Sequence, residues 1–140
     1  MTIFCTGSTK DKRALAEKTV EWSIKKLGLS RMTSLNVNVI LKKMPEGEFG
    51  LCMTDDVMDD IRNFNIEVNK NISLKDFVST IIHEMVHVKQ FAREEMSVYG
   101  MRWKSKNIPE KTDYMDLPWE KEAYRLEEKL VKLIWEENIL

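Results

Sequence analysis

The sequence predicts an α+β domain: a packing helix, a small sheet of three or four strands, a buried helix carrying the chemistry, and a C-terminal ligand helix. Three observations predict it. Segments with the 3.6-residue apolar spacing of helices stand near the start, in the middle and at the end of the chain. Between the first two lie short stretches that alternate apolar and polar residues, as half-buried strands do. The most apolar helical segment contains His83-Glu84-Met85-Val86-His87, which includes both histidines of the chain.

A chain of 140 residues is long enough for one domain that buries about two-thirds of its unfolded surface, so residues 1–140 are read as a single unit. Charged residues make up 32% and hydrophobic ones 43%, the balance of an ordinary globular protein. A formal net charge of −1 gives no reason to expect nucleic acid or an acidic membrane as the main partner.

Ser8-Thr9-Lys10-Asp11 resembles a capping box, and the segment from there to Leu27 reads as a surface helix. Val20, Ile24 and Leu27 lie on its buried edge, and Gly28 suits the residue that ends it. Leu35 to Leu41 alternates and then turns wholly apolar, a first strand. Pro45 and Gly47 make a turn before a second short strand, Phe49 to Thr54. The acidic run Asp55-Asp56 and Asp59-Asp60 around Val57-Met58 reads as a solvated turn, because it lacks the ordered oxygen spacing of a calcium loop. Phe64, Ile66 and Val68 mark a third strand.

Ser73 is a good N-cap, with Asp76 three residues on, and the helix it opens is expected to run to about Met96. Its apolar positions leave a narrow polar strip of Thr80, His83, Glu84 and His87. A polar strip on a buried helix must face a cleft, a metal, or both. From Tyr99 to Pro109 the chain is irregular and basic, with Trp103 among Arg102, Lys104 and Lys106. This loop reads as a surface lid or as a flap that touches substrate. Pro118 suits the first turn of a last helix whose core face includes Trp119, Ala123, Leu126 and Leu130.

Two imidazoles four positions apart sit one helical turn above each other, so both can reach one metal ion. Glu84 follows the first of them and lies beside the ion's open position. There a carboxylate can take a proton from water and pass it to a leaving amine. A catalytic zinc needs three protein ligands. In the compact pattern HExxHxxGxxH the third would be a histidine, but the matching positions here are Gln90 and Arg93. Glu94 stands seven residues beyond His87, roughly 10 Å along the helix, too far to share an ion. The third ligand must therefore come from a second helix, with Glu120 and Glu122 best placed, and periodicity does not choose between them. Cys5 and Cys52, outside any CxxC pair, are poor ligand candidates.

HEMVH followed by PWEKEAY resembles the gluzincin group of zinc metallopeptidases, which combine HExxH with a glutamate from a downstream helix. The likeness covers Ser73 to about Leu126 and is nearest to small SprT-like or ImmA-like metallopeptidases of phage and bacterial origin. It implies a minimal zincin-like domain with one Zn²⁺ per chain held by His83, His87 and a glutamate. The liganding Glu in several such proteins is followed three residues on by a small residue, which favours Glu120 with its Ala123 and leaves Glu122 to the outer shell. Where those proteins carry Asp or Asn to brace a ligand histidine, this chain has Tyr124. The resemblance further implies a peptide lying along an edge strand. With Glu84 as general base on the metal-bound water, Tyr114 and Tyr124 are the candidates to contact the oxyanion or substrate.

Polypeptide is thus the expected substrate. A zinc-binding module without catalysis, or a DNA-associated protease using the basic loop, are the rival readings. Met1 to Cys5 is too short for a signal peptide, no segment approaches eighteen consecutive apolar residues, and two lone cysteines fit a reducing compartment. A cytoplasmic protein that neither enters nor spans a membrane is expected.

Overall fold

Alternation builds the sheet. The computed structural model of the chain describes residues 1–57, 60–97 and 100–140. Its main sheet contains β1 (Thr2–Thr6), β2 (Asn36–Lys42), β3 (Gly50–Met53) and β4 (Asn63–Asn69), in the spatial order β1-β2-β4-β3. β1, β2 and β4 are mutually parallel, while β3 runs antiparallel to β4 with Gly50 opposite Val68 and Met53 opposite Asn65. Val37, Val39 and Leu41 of β2 and Phe64, Ile66 and Val68 of β4 point to one face, where they are almost fully buried. The opposite face carries asparagines in register, and Asn36 and Asn38 donate amide hydrogen bonds to Asn63 and Asn65.

α1 (Lys10–Lys26) and α2 (Leu74–Ala92) cover the apolar face, and α3 (Pro118–Glu136) packs on α2. α1 is capped by Thr9, whose hydroxyl accepts from Lys12 N, one residue later than a Ser8 cap would be. Ser73 caps α2 by accepting from Asp76 N, as its sequence requires. Phe77, Ile81, Ile82 and Met85 of α2 are completely enclosed. Cutting one such side chain back to alanine would cost about 2–5 kcal/mol. Ala123 of α3 has no exposure, and a small residue there lets the two helices approach closely.

Three local features depart from the sequence expectation. β1 is an additional edge strand: only Ile3 and Cys5 are partly buried on it, and its pairing partner β2 lies thirty residues away along the chain. α2 stops at Ala92, four residues early, because Glu94 takes φ 58° and the Glu95 and Met96 amides fold back onto the Gln90 carbonyl. The basic loop contains a tight hairpin, β5 (Arg102–Trp103) and β6 (Lys106–Asn107), turned through Lys104 and Ser105 at positive φ. Met58 and Asp59 of the acidic run and Tyr99 of the basic loop lie outside the described residues. No helix among the described residues is long and apolar enough to cross a membrane.

Candidate metal centre

The polar strip of α2 faces the first turns of α3. Glu120 is held there by a helix start that Pro118 fixes, and its side chain is buried. Its Oε1 lies 3.3 Å from Nε2 of His83 and 3.3 Å from Nε2 of His87. Ligand atoms about 2.1 Å from a tetrahedral zinc stand about 3.4 Å from each other, so these separations suit a shared ion. His83, His87 and Glu120 thus form a buried group that can hold a metal ion.

The far nitrogen of each imidazole is also engaged. His83 Nδ1 donates to Glu127 Oε1 at 2.8 Å, and His87 Nδ1 donates to Gln90 Oε1 at 2.7 Å. The orientation of the Gln90 amide follows from its surroundings. Its nitrogen faces two acceptors, the Trp119 carbonyl at 2.9 Å and Glu122 Oε1 at 3.2 Å, so its oxygen must face His87. Because each Nδ1–H is engaged, loss of the second proton leaves an Nε2 lone pair on each ring pointing at the space beside Glu120, the tautomer a metal requires.

Glu122 points to the outer side of this arrangement. It accepts from Lys89 Nζ at 2.8 Å and from Gln90, and Lys89 also reaches Glu95 at 2.9 Å. Glu122 therefore acts on His87 only through Gln90. Burial alone would raise its pKa, but Lys89 and Gln90 together bring it below the usual carboxylate range.

Electrostatics couples the group. Burial would depress the His83 imidazolium, yet hydrogen bonds to Glu120 and Glu127 and the charge of Glu84 outweigh it and raise its pKa to about 9. His87 is likewise raised, with burial opposing and Glu120 prevailing. Burial would raise Glu120 too, but the two histidines hold it at about 2. A carboxylate that stays ionised between two nitrogens is a site selected for positive charge. Glu84 is shifted the other way. Burial is the main cause and the histidines only partly offset it, so its pKa is raised.

Tyr124 lies against the His83 ring at 4.7 Å between centroids. Tyr114 stands on a short 3₁₀ helix, Tyr114–Asp116, just before α3. Its pKa is raised by burial of its hydroxyl, by hydrogen bonding with Tyr124 and by the charge of Glu120. Both tyrosines line a hollow of about 640 Å³ on the His83 side of the site. A smaller one of about 280 Å³ lies on the His87 side, lined by Cys52, Phe91, Met96 and Trp119. β3 is at the sheet edge, and Gly50 and Leu51 line both hollows. Cys5 and Cys52 are free thiols, and neither belongs to the ligand group.

Sequence reasoning brought His83, Glu84, His87 and Glu120 to one place but passed over Gln90 and Glu127. Each had a signal. Gln90 is three residues beyond His87 and therefore its neighbour on the helix. Glu127 is seven beyond Glu120, two turns along the same face. Comparison with family models, curated proteins and solved structures returns no match.

Proposed function

We propose that this α+β domain is a minimal zincin-like zinc metallopeptidase, of the gluzincin kind that its HEMVH and PWEKEAY segments resemble. The observation that carries the reading is the single Glu120 oxygen 3.3 Å from Nε2 of both histidines, with Glu84 beside them. His83, His87 and Glu120 would hold the zinc, which when bound supplies a Lewis acid that polarises the scissile carbonyl and acidifies water. Glu84 takes the water's proton and passes it to the leaving amine. Burial raises its pKa toward the range where a carboxylate does both. Tyr114, with its hydroxyl near Glu120, donates a hydrogen bond to the oxyanion, and Tyr124 supports it. Among the described residues the outer edge of β3 has no partner strand, and an extended peptide can pair there, its scissile bond over the ligand group.

The test is hydrolysis of a denatured-protein or peptide pool by zinc-loaded protein, with Glu84→Gln in parallel. Wild type is expected to cleave. The variant is expected to keep its zinc and lose about 10²-fold or more in rate, because an amide cannot accept the proton. Equal cleavage by both would remove Glu84 as base, and no cleavage by a zinc-loaded wild type would leave a zinc-binding module.

A second reading has one observation in its favour. The β5–β6 hairpin brings Arg102, Lys104 and Lys106 together, with Lys104 Nζ 5.2 Å from the Trp103 ring. On this reading single-stranded DNA would bind the hairpin and raise cleavage of a DNA-bound protein. Equal cleavage with and without DNA would discard it.

A further inference from the structure

The two hollows flanking the ligand group differ in chemistry. The larger, on the His83 side, is lined by Glu48, Asp76 and Glu127, and by no lysine or arginine. Among the described residues none of these three lies within ion-pair distance of a lysine or arginine. Glu84, only 6% exposed, also lines this hollow, and its carboxylate has no hydrogen-bond partner among the described residues. A divalent ion would be balanced by Glu84 and Glu120, and Glu127 is taken up by the Nδ1 hydrogen of His83, which leaves the charge of Glu48 and Asp76 uncompensated. The smaller hollow, on the His87 side, is walled by Cys52, Phe91, Met96 and Trp119, with no charge beyond the site itself.

Asp76 belongs to the same helix face as the ligands. It precedes His83 by two helical turns, with Thr80 between them. Its carboxylate is therefore on the order of 10 Å along the axis from the ligand group. An extended peptide advances about 3.3 Å per residue, and a lysine or arginine arm covers several ångströms more. A side chain two or three residues from the scissile bond can thus reach Asp76 and Glu48, while the backbone stays on β3.

Resting on the peptidase reading, we infer that the preferred substrate is an extended peptide with a lysine or arginine two or three residues from the scissile bond, over the His83 side, and an apolar side chain over the His87 side. The acidic wall attracts the cation and repels an acidic residue at the same place. The apolar wall takes a leucine, methionine or phenylalanine without burying an unpaired charge.

The test uses two fluorescent peptides identical except for lysine or glutamate at the position three residues from a central apolar residue. Their affinities for zinc-loaded Glu84→Gln protein are measured by anisotropy at low and high salt. The lysine peptide is expected to bind at least about tenfold more tightly, with a gap that narrows as salt rises. Asp76→Asn combined with Glu48→Gln is expected to close that gap, circular dichroism confirming an intact fold. If the double variant does not fold, Glu48→Gln alone should narrow it. Equal affinity of the two peptides, or tighter binding of the glutamate peptide, would overturn the inference. Whether zinc-loaded wild type hydrolyses the lysine peptide is read separately. Preference without hydrolysis would leave the acidic subsite standing and remove the peptidase reading, whereas hydrolysis without preference would do the reverse.

Discussion

Gln90 accepts the Nδ1 hydrogen of His87 at 2.7 Å, although Gln90 is fully enclosed and sits where a related zinc pattern would have glycine. This contact fixes the tautomer of one candidate metal ligand. The Glu127 carboxylate does the same for the other, at 2.8 Å from His83 Nδ1. The two histidines are thus braced differently, one by a neutral amide and one by an anion.

Removing either brace should weaken zinc binding without abolishing it. Gln90→Leu and Glu127→Ala are each expected to lower zinc affinity about 10–100-fold, as lost outer-shell contacts do. Competition against a chelator of known affinity measures this. Affinities unchanged in both variants would show that the contacts do not orient the ligands.

Gly50 on β3 has no room for a side chain. A Cβ there would stand 2.5 Å from Thr80 Cγ2 and 3.4 Å from Glu84 Cγ. Thr80 is buried, which leaves its methyl little space to move into. Gly50→Ala is expected to destabilise the protein by about 1–3 kcal/mol. Thr80→Ser removes the methyl that clashes, so the double variant should lose less than the sum of the two single changes. Denaturant melts of the four proteins give the comparison, and strict additivity would show that the strand yields instead.

Asp56 holds the start of β4 by accepting from the backbone N–H groups of Arg62 and Asn63. Those two bonds lower its pKa. The sign follows: a depressed carboxylate contributes stability that is present above its unfolded value, near pH 4, and lost as pH falls through the lower folded value. Asp56→Ala should cost about 1 kcal/mol or less at neutral pH, given screening by solvent. The difference from wild type should shrink in acid melts. A constant difference down to pH 2 would assign the effect to packing.

The core of the fold was legible because periodicity and caps agreed. Ser73, the apolar stripe of α2 and the alternation in β2 and β4 each specify the same structure from local chemistry alone. What escaped is what tertiary contact decides. β1 is a strand only because β2 lies beside it. The end of α2 depends on a left-handed Glu94, a residue with no intrinsic preference for that conformation. In the site, the HEMVH spacing put two candidate ligands on one helix face. The choice between Glu120 and Glu122 needed the crossing of α2 and α3, which turns one toward the histidines and the other toward Lys89. Glu127 stands in a run of Lys and Glu, and charge pattern alone does not reveal which of them a neighbouring histidine faces.

The most direct measurement of the central claim is zinc content and affinity in wild type, His87→Ala, Glu120→Gln and Glu122→Gln, read by metal analysis and chelator competition. One zinc per chain in wild type, none retained by His87→Ala, severe loss in Glu120→Gln and at most about a 10–100-fold loss in Glu122→Gln is the expected result. Full occupancy in Glu120→Gln, or a greater loss in Glu122→Gln, would contradict a centre built from His83, His87 and Glu120.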